Sequence, residues 1–391
     1  MSARKPDAKT TALIHHGYTA PAGFESSAVP VHKASTILFK DTASLYARDW
    51  KHKTGYTYGL HGTPTTFTLE ERIATLEGGL QCLLAPSGLA AIALVDLALL
   101  RAGDEVLLPN NVYGPSRELA RTQLADLGVG HRLYDPTDLQ SLVNAIGPQT
   151  RLVWIEAAGS VTMEFPDLRA LAATCRARNV RCALDNTWGA GIAFDAFECG
   201  VDISAQALTK YPSGGGDVLM GSVVTRDDAL HQQIKLGHMR LGLGVGANDA
   251  EFVLRSLPTL AVRYAAQDLA GRRLAAWWQG RPEVTQVLHP ALAGSPGHDH
   301  WRSHCSAAAG LFSVVFDARY GKAQVDAFVD ALRVIRIGYS WAGPVSLAVP
   351  YDFQLLRGTA GRGRLVRFSL GFEAVDDLIA DCEQALAALG P

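Results

Sequence analysis

The stretch SAQALTKYPSGGGDVLMGS, residues 204–222, contains one lysine, Lys210, between an apolar run and three consecutive glycines. A lysine amine that is removed from water has a lowered pKa and can form a Schiff base with a carbonyl compound. The glycines let a flat ligand approach the backbone closely. A solvated surface lysine is the alternative, so the interpretation depends on which other groups accompany Lys210.

Asp185 ends the apolar run in Ala-Leu-Asp-Asn-Thr, residues 183–187. Asp-Asn-Thr is good turn chemistry, so a turn or helix-capping role is one interpretation. The other is a fixed buried anion that faces a cationic ring nitrogen, which a pyridine cofactor needs in order to accept electrons.

A third candidate is Pro-Ser-Gly-Leu at residues 86–89, just before the very apolar residues 90–100. We predict a helix over that apolar stretch, with Ser87 and Gly88 at its start. The free N–H groups of a helix start bind phosphate readily. An ordinary helix cap uses the same residue types.

These residues must be positioned by a sheet, and from about Thr66 to residue 225 short apolar runs alternate with helical patterns. This alternation is typical of strand-helix-strand units and a mainly parallel sheet. In such sheets functional groups gather beyond the carboxyl ends of the strands. The rule selects residues 86–89, residues 111–113, Glu156, residues 185–187 with Asp185 first, and residues 209–210 with Lys210. The predicted strands are residues 81–84, 105–108, 152–155, 182–184, 203–207 and 222–225.

The chain has 391 residues, which is too long for one domain of usual size. We predict an N-terminal arm over residues 1–60 that lies on a neighbouring subunit, a large domain over 61–255, and a smaller α+β domain over 256–391. Thirty-six Lys and Arg against 38 Asp and Glu provide no field that would attract nucleic acid or an anionic membrane. The composition therefore favours a small-molecule substrate.

Two further patterns concern compartment and metals. The six cysteines include no C-x-x-C pair and the N-terminus has no apolar signal core, so we expect reduced thiols and a cytoplasmic protein. The most apolar stretch is about half the roughly 20 residues that a membrane span needs. His298, His300, His304 and Cys305 could suggest a metal site, but they follow Ser-Pro-Gly and lack a clear ligand spacing. We expect a surface loop there and no metal.

With these residues in place, the sequence resembles the cystathionine lyase and synthase family, the pyridoxal-phosphate (PLP) enzymes of Cys/Met metabolism. The resemblance covers nearly the whole chain and implies PLP-dependent transferase fold type I, an α/β fold. Three stretches are most similar to the bacterial cystathionine β-lyase branch: IEAAGSVTMEFPD at 155–167, LDNTWGAG at 184–191 and GYSWAGPVSL at 338–347. The γ branches usually carry Asn-Pro at the position of Ser160-Val161 and Leu at the position of Trp341.

The resemblance also implies a role for each matching residue. Those that bind the cofactor are Lys210 as its covalent attachment, Asp185 at its ring nitrogen, Tyr113 stacked on the ring, Gly88 and Leu89 through backbone N–H groups, Thr209 through its hydroxyl, and Tyr58 of a neighbouring subunit. Lys210, Tyr113 and Tyr58 would also move protons. Arg367 would grip the substrate α-carboxylate, assisted by Ser340 and beside Trp341.

Two departures from the family pattern concern the phosphate. The family usually has Tyr-x-Arg near the start of the large domain, whereas this chain has Tyr58 and then Leu60, with His61 as a partial substitute. Ala207 also stands where a phosphate-binding Ser is common. We therefore expect weaker retention of the cofactor.

The activity that the resemblance implies is β-elimination, which splits L-cystathionine into homocysteine, pyruvate and ammonia. The alternatives are a cysteine or cystine C–S lyase, γ-elimination or γ-replacement, and a PLP-binding regulator without turnover. Shared active sites imply a homo-oligomer, at least a dimer, with tetramers of two dimers usual in the family.

Overall fold

The structure is a computed structural model that describes residues 8–24, 26–352 and 363–390. Its larger sheet has seven strands in the order β1-β7-β6-β5-β4-β2-β3. Strands β2 to β6 pair in parallel, and β7 runs antiparallel to both β6 and β1. The predicted mainly parallel sheet is confirmed, and each of the six predicted strands overlaps an observed one. The strands are β1 (Gln81–Ala85), β2 (Glu105–Pro109), β3 (Gly130–Tyr134), β4 (Thr150–Glu156), β5 (Arg181–Asp185), β6 (Ile203–Ala207) and β7 (Gly221–Thr225).

Strand β3 is the element of this sheet that the sequence analysis missed. It lies at the edge of the sheet and pairs with β2. Its residues include His131 and Arg132, and only Tyr134 is buried. An edge strand that is open to solvent needs no continuous apolar run, so the pattern that revealed the central strands is absent.

Helices cover both faces of the large sheet. The adjacent β1 residues Leu83 and Leu84 are buried in separate cores, because successive side chains of a strand point to opposite faces. One core includes Ile73 and the other Leu94. The helices of this part are α3 (Pro64–Glu77), α4 (Gly88–Leu99), α5 (Gly114–Leu119), α6 (Leu139–Ala145), α7 (Leu168–Ala177), α8 (Asp228–Leu241) and α9 (Ala247–Ser256).

The N-terminal region contains two short helices, α1 (Lys9–Ile14) and α2 (Thr42–Tyr46). Leu13 of α1 is 3% exposed and belongs to the main core. Arg72 of α3 donates hydrogen bonds to the carbonyls of Ala12 and His15. The beginning of the expected arm is therefore anchored on its own chain, while its boundary at residue 60 stays a prediction.

A second, smaller sheet of five strands has the order β10-β11-β12-β9-β8. It packs its apolar face around Trp278, Phe316 and Phe368. This is the expected second α+β part of the fold. Its strands are β8 (Val284–Leu288), β9 (Leu311–Phe316), β10 (Arg336–Ile337), β11 (Leu347–Asp352) and β12 (Arg364–Ser369), and its helices are α10 (Leu260–Gln279), α11 (His298–His304), α12 (Lys322–Asp330) and α13 (Val375–Ala385). Short 3-10 turns occur at Gly59–His61, Phe197–Cys199, Leu257–Thr259 and Leu386–Leu389, and a π turn at Ala120–Leu124.

The histidine cluster forms α11, so the prediction of a surface loop was wrong. Trp301 is 9% exposed and anchors this short helix in the core. His300 and His304 lie 3.8 and 3.5 Å from Asp167, and His298 Nδ1 lies 2.9 Å from the Pro290 carbonyl. Over the described ranges no group of three His, Cys, Asp or Glu side chains is arranged to hold a metal, and none of the helices in those ranges is long and apolar enough to cross a membrane.

Tyr211 joins the two sheets next to Lys210. Its side chain is 1% exposed, and its ring centroid lies 4.6 Å from that of Tyr264 in α10. The Tyr211 hydroxyl accepts a hydrogen bond of 2.9 Å from the backbone N–H of Gly310, just before β9. The loop after β6 is thus attached to the second sheet by a buried side chain.

Candidate functional site

The chemistry-bearing residues lie at one edge of the large sheet, beyond the strand ends. Glu156 is the last residue of β4 and is paired in register with Asp185, the last residue of β5. Ala207 ends the next strand, β6, and Lys210 follows three residues later. Ser87 follows β1 and caps α4. The residues that the strand-end rule selected in the sequence analysis therefore lie together at one edge of the sheet, and their roles stay predictions.

The Lys210 amine is largely removed from water. Its Nζ donates a hydrogen bond of 2.8 Å to Ser340 Oγ and lies 5.4 Å from the centre of the Trp341 ring. Burial, followed by repulsion from Arg367, lowers the pKa of Lys210 to about 8, and the charge of Asp185 opposes this shift. At neutral pH about a tenth of the amine is therefore uncharged and nucleophilic.

The Asp185 carboxylate is oriented by Thr187. Its Oδ1 accepts hydrogen bonds from the Thr187 backbone N–H at 3.0 Å and from the Thr187 hydroxyl at 2.5 Å. Burial raises the pKa of Asp185, while the Thr187 contacts and the Lys210 charge lower it. Among the described residues no hydrogen bond reaches Oδ2, which leaves this oxygen for a cationic N–H partner such as a protonated pyridine ring.

The start of α4 presents two free N–H groups. Ser87 Oγ accepts a hydrogen bond of 3.0 Å from the Ala90 N–H, and the Ser87 carbonyl accepts one of 3.0 Å from the Ala91 N–H. In the part of the chain that the structure describes, the N–H groups of Gly88 and Leu89 have no acceptor. Two unpaired N–H groups at a helix N-terminus suit a phosphate.

Close packing makes Gly88 necessary at this helix start. A Cβ on residue 88 would lie 2.5 Å from the Cβ of Ala207. The methyl group of Ala207 thus faces Gly88 at the start of α4 and brings no hydrogen-bond donor there. The Thr209 hydroxyl is near the same strand end, but it donates to the Met220 carbonyl at 3.2 Å and accepts from the Met220 N–H at 3.1 Å. Donating to a phosphate would require it to leave the Met220 carbonyl.

Tyr113 immediately precedes α5 and is 40% exposed. Burial raises the pKa of its hydroxyl, as do the charges of Asp185 and Glu156, whereas the charge of Arg367 lowers it. The ring therefore lies within electrostatic reach of groups from both sheets. The Tyr113 backbone N–H donates a hydrogen bond of 2.6 Å to Glu156 Oε2.

Arg367 of β12 is the cation of the site and is 6% exposed. Its Nη2 donates a hydrogen bond of 2.5 Å to the Tyr339 carbonyl, and its guanidinium lies 5.6 Å from the centre of the Tyr351 ring. Burial lowers the pKa of Arg367, partly offset by Tyr351, Tyr113 and Tyr339. Its Nε is buried without a hydrogen-bond partner among the described residues. A buried cation with an unpaired N–H suits an anionic ligand such as a carboxylate.

Tyr58 is the predicted site residue that a single chain does not bring to this edge. It is 49% exposed, and its ring contacts that of His61 at a centroid distance of 6.0 Å. None of the hydrogen bonds within the described ranges joins it to the Lys210 region. Its role in a neighbouring subunit stays a prediction, as does the effect of Leu60.

Three contributors were missed or left without a role by the sequence analysis. Thr187 orients Asp185, and the two-residue spacing of an Asx turn was a usable signal. Tyr351 stacks on Arg367 because Val349 of β11 is the register partner of Arg367, which makes Tyr351 a diagonal neighbour. Glu156 was selected as a strand-end residue, but its bond to Tyr113 spans 43 residues and no local pattern shows it.

The fold and this site define a class: enzymes that use a phosphate-bearing aldehyde with a basic ring nitrogen, held by a lysine at the edge of a mainly parallel sheet. The residues present fit PLP, since Lys210, Asp185, Gly88 and Leu89 each offer an unpaired or reactive group of the right chemistry. The chain belongs to the Cys/Met metabolism PLP-dependent enzyme family, whose model matches residues 10–387.

Relatives in this family extend over the whole chain. A cystathionine beta-lyase of Bordetella avium is 38% identical over 388 residues, with 96% of each chain covered. The crystal structure of metB from Corynebacterium glutamicum has a TM-score of 0.90 at 29% identity and covers 98% of each chain. A cystathionine gamma-lyase from Lactobacillus plantarum, complexed with L-serine, has a TM-score of 0.89 at 27% identity and covers 98% of this chain and 99% of its own.

Proposed function

We propose that this protein is a PLP-dependent carbon–sulfur lyase that cleaves L-cystathionine by β-elimination into homocysteine, pyruvate and ammonia. The name of the Bordetella avium relative supports this reaction. The observation that carries it is the Lys210 amine, which is hydrogen-bonded to Ser340 and lies within reach of the charges of Arg367 and Asp185. A proton-transfer group and a carboxylate-binding group are thus assembled at one place.

Several groups of this chain would hold the cofactor. The N–H groups of Gly88 and Leu89 would bind its phosphate, Asp185 Oδ2 would hold a proton on its ring nitrogen, and the Tyr113 ring would contact its ring. When bound, PLP supplies an electron sink for the negative charge that develops at the substrate Cα. Asp185 has a fixed orientation before substrate arrives, so it stabilises that charge without reorganisation.

Lys210 moves the proton. As a neutral amine it removes the proton from the substrate Cα, and Ser340 accepts a hydrogen bond that aims Nζ. The Cβ–S bond then breaks, and the resulting ammonium returns the proton to the departing sulfur, which leaves as the thiol. The remaining three-carbon fragment takes up water and releases ammonia to become pyruvate. A lysine pKa of about 8 suits this double use, since both protonation states are populated near neutral pH.

Arg367 and Trp341 position the substrate. The guanidinium of Arg367 binds the α-carboxylate in the bidentate manner that its planar shape favours. Trp341 contacts both Tyr211, at a centroid distance of 5.6 Å, and the Lys210 amine. Its indole limits the space beside the amine, which favours elimination at Cβ over chemistry at Cγ.

The second candidate activity is γ-elimination or γ-replacement. It is supported by the high structural similarity to metB and to the γ-lyase. A cysteine or cystine C–S lyase would use the same residues as the β-lyase with a different thiol leaving group. These candidates differ in products, so product analysis separates them.

The test is to incubate the purified protein with PLP and L-cystathionine and to identify the products. Pyruvate with homocysteine supports the β-lyase, and 2-oxobutyrate with cysteine supports the γ-lyase. Turnover of cystine but not of cystathionine supports the cysteine or cystine C–S lyase. Lys210→Ala should abolish turnover, whereas Lys322→Ala, at an exposed lysine paired with Asp326 on α12, should not. Full turnover by Lys210→Ala would overturn the proposal.

The active unit in this proposal is at least a homodimer, with a tetramer of two dimers as the complete assembly. The exposure of Tyr58 (49%), Tyr46 (79%) and Leu38 (90%) in the N-terminal region supports a second copy as their partner. Hybrid dimers of Lys210→Ala and Tyr58→Ala subunits test it, since each holds one intact site. Mixing should restore about a quarter of the parent activity if sites are shared. No restoration would contradict sharing through Tyr58.

A cytoplasmic location, suggested by the cysteine pattern, completes the proposal.

A further inference from the structure

Glu156 is a buried carboxyl group at the site to which the proposed reaction gives no task. It ends β4, is 7% exposed and is paired in register with Asp185. Its Oε2 accepts a hydrogen bond of 2.6 Å from the backbone N–H of Tyr113. The contact therefore joins the end of one central strand to the residue that immediately precedes α5.

The loop after Glu156 fastens the same segment at two further points. The Ser160 N–H donates a hydrogen bond of 3.0 Å to the Asn111 carbonyl, and Asn111 Nδ2 donates one of 3.0 Å to Glu164 Oε2. Glu164 also accepts a bond of 2.5 Å from the Thr162 hydroxyl. Residues 111–113 are thus joined to residues 156–164 by three hydrogen bonds, two to the backbone and one to the Asn111 side chain.

This loop is well braced. Val161 has a φ of 132°, a conformation that a β-branched residue adopts only when its surroundings impose it. The Val161 carbonyl accepts a hydrogen bond of 2.6 Å from the Ser313 hydroxyl of β9. The second sheet therefore helps to fix the loop that holds the Tyr113 segment.

Tyr113 needs such support because its ring is 40% exposed. A ring packed on all sides would be oriented by its neighbours, whereas a half-exposed ring depends on the position of its own backbone. The Tyr113 carbonyl accepts hydrogen bonds from the N–H groups of Ser116 and Arg117 in α5, at 2.9 and 3.3 Å, which hold the side of Tyr113 that faces the helix. The Glu156 contact is the direct hold on the Tyr113 backbone N–H.

We propose that Glu156 is a positioning residue, whose carboxyl oxygen holds the Tyr113 backbone so that the Tyr113 ring lies against the bound cofactor. The proposal rests on the PLP site of the proposed function. It assigns to Glu156 an acceptor oxygen and no negative charge, so the isosteric amide should replace it.

The electrostatics agree with an uncharged Glu156. Burial, followed by the charge of Asp185, raises the pKa of Glu156 well above its ordinary value, and hydrogen bonds from Tyr113 and Ser160 only partly oppose this. Two adjacent buried carboxyl groups do not both ionise easily. A neutral Glu156 leaves the anionic role at the ring nitrogen to Asp185.

The experiment compares Glu156→Gln with Glu156→Leu in the PLP-loaded protein without substrate. The readouts are the induced circular dichroism of the bound cofactor, which depends on ring orientation, and the cofactor dissociation constant. We expect Glu156→Gln to keep the parent circular dichroism, and Glu156→Leu to change it and weaken cofactor binding about tenfold. With cystathionine, kcat of Glu156→Leu should fall about tenfold with KM within about twofold.

Two further variants separate positioning from general stability. Asp96, in the interior of α4, is another buried carboxyl group and is 3% exposed. It accepts a hydrogen bond of 2.8 Å from Trp154 Nε1. Asp96→Leu should lower the melting temperature and leave the cofactor circular dichroism unchanged. In a Tyr113→Ala background, Glu156→Leu should have no further effect on the circular dichroism, because Glu156 acts through Tyr113.

Three results would overturn the proposal: parent-like circular dichroism in Glu156→Leu, loss of the signal in Glu156→Gln, or full additivity with Tyr113→Ala. The Gln variant keeps the idea testable if the Leu variant does not fold. A protein that binds PLP without cleaving cystathionine would refute the proposed reaction and leave this test intact. A protein that does not bind PLP would refute both.

Discussion

The two ends of the site are built in different ways. The end proposed for the phosphate consists of backbone N–H groups at the start of α4, beside the methyl group of Ala207. The end proposed for the substrate carboxylate consists of side chains: Arg367 is buried, bonded to the Tyr339 carbonyl and stacked on Tyr351. The first end thus relies on the dipole at the start of α4, without a charged side chain. The second relies on the full positive charge of Arg367, whose position is fixed by its neighbours.

This difference concerns two functions, binding of the substrate and binding of the cofactor. A single chain contributes more of the groups for the first than for the second. The proposed carboxylate end draws its cation and aromatic neighbours from the described residues of one chain. For the proposed phosphate end, the family pattern has an arginine from a neighbouring subunit at the position where this chain has Leu60. Substitutions at the two ends should therefore affect different constants, substrate turnover at one and cofactor affinity at the other.

The largest expected effect is that of Arg367→Leu. Loss of a bidentate, charge-assisted contact of about 3–4 kcal/mol should lower kcat/KM for cystathionine about a thousandfold. At a pH where the Lys210 amine is neutral in both proteins, the cofactor dissociation constant should stay within about twofold of the parent value. Steady-state kinetics and cofactor titration check both.

Arg364→Leu, on the same strand but paired with Asp352, is the matched control and should leave kcat/KM unchanged. A parallel loss of cofactor affinity in Arg367→Leu would break the separation of the two ends.

The next effect is the pH dependence of the reaction between Lys210 and PLP, which Arg367 at the other end of the site should influence. Because the pKa of Lys210 is lowered to about 8, its neutral fraction rises with pH up to that value and then levels off. The rate at which the cofactor-free protein reacts with PLP should thus increase about fiftyfold from pH 6 to pH 8. Rapid-mixing absorbance measures it.

Arg367→Leu serves as the internal control for this pH profile. Repulsion from Arg367 is the second cause of the lowered pKa of Lys210, so its removal should move the profile to higher pH. The ionisations of free PLP are the same in both reactions and cancel in the comparison. Identical profiles for the two proteins would contradict the coupling.

Gly88→Ala should have an intermediate effect, confined to the phosphate end. The new Cβ would lie 2.5 Å from Ala207 Cβ, so α4 or β6 must shift and the two free N–H groups lose their alignment. We expect the cofactor dissociation constant to rise about thirtyfold, as for an overpacked core of about 2 kcal/mol. Ala207→Gly in the same chain should restore affinity, while Gly55→Ala, where nothing lies within 4 Å, should leave it unchanged. Parent-like affinity of Gly88→Ala would show that this helix start does not bind the phosphate.

The smallest effect is a gain. Leu60→Arg should tighten cofactor binding about tenfold, because one charge-assisted hydrogen bond to the phosphate contributes about 1.5–3 kcal/mol before side-chain ordering is subtracted. Leu60→Met keeps the apolar character and serves as the control. The measurement is equilibrium titration of the cofactor-free protein. An unchanged affinity in Leu60→Arg would refute the idea that the phosphate end is deficient.

The sequence was sufficient where burial is strong and local. The central strands are buried on both faces, so their apolar runs are visible in the sequence, and the expected parallel arrangement is enough to predict that Asp185, Lys210 and Ser87 lie at one edge. Strand β3 and helix α11 were missed or misassigned because each has few buried residues: Tyr134 in the first and Trp301 in the second. Weak burial leaves no periodic pattern to detect.

The site itself could be predicted only in part, for a physical reason. Reactive groups such as the Lys210 amine are recognisable by type, and the family resemblance added their roles. The groups that orient them are recognisable only by contact, and those contacts join distant segments. Lys210 meets Ser340 across 130 residues and Tyr113 meets Glu156 across 43, which no local spacing encodes.

Tyr211 sets a limit on how this enzyme can be altered. It follows Lys210, is enclosed between Tyr264 and Trp341, and its hydroxyl is bonded to the backbone before β9. One of the contacts that join the two sheets is therefore one residue from the reactive amine. A substitution that loosens Tyr211 should disturb both the packing between the sheets and the position of the Lys210 amine.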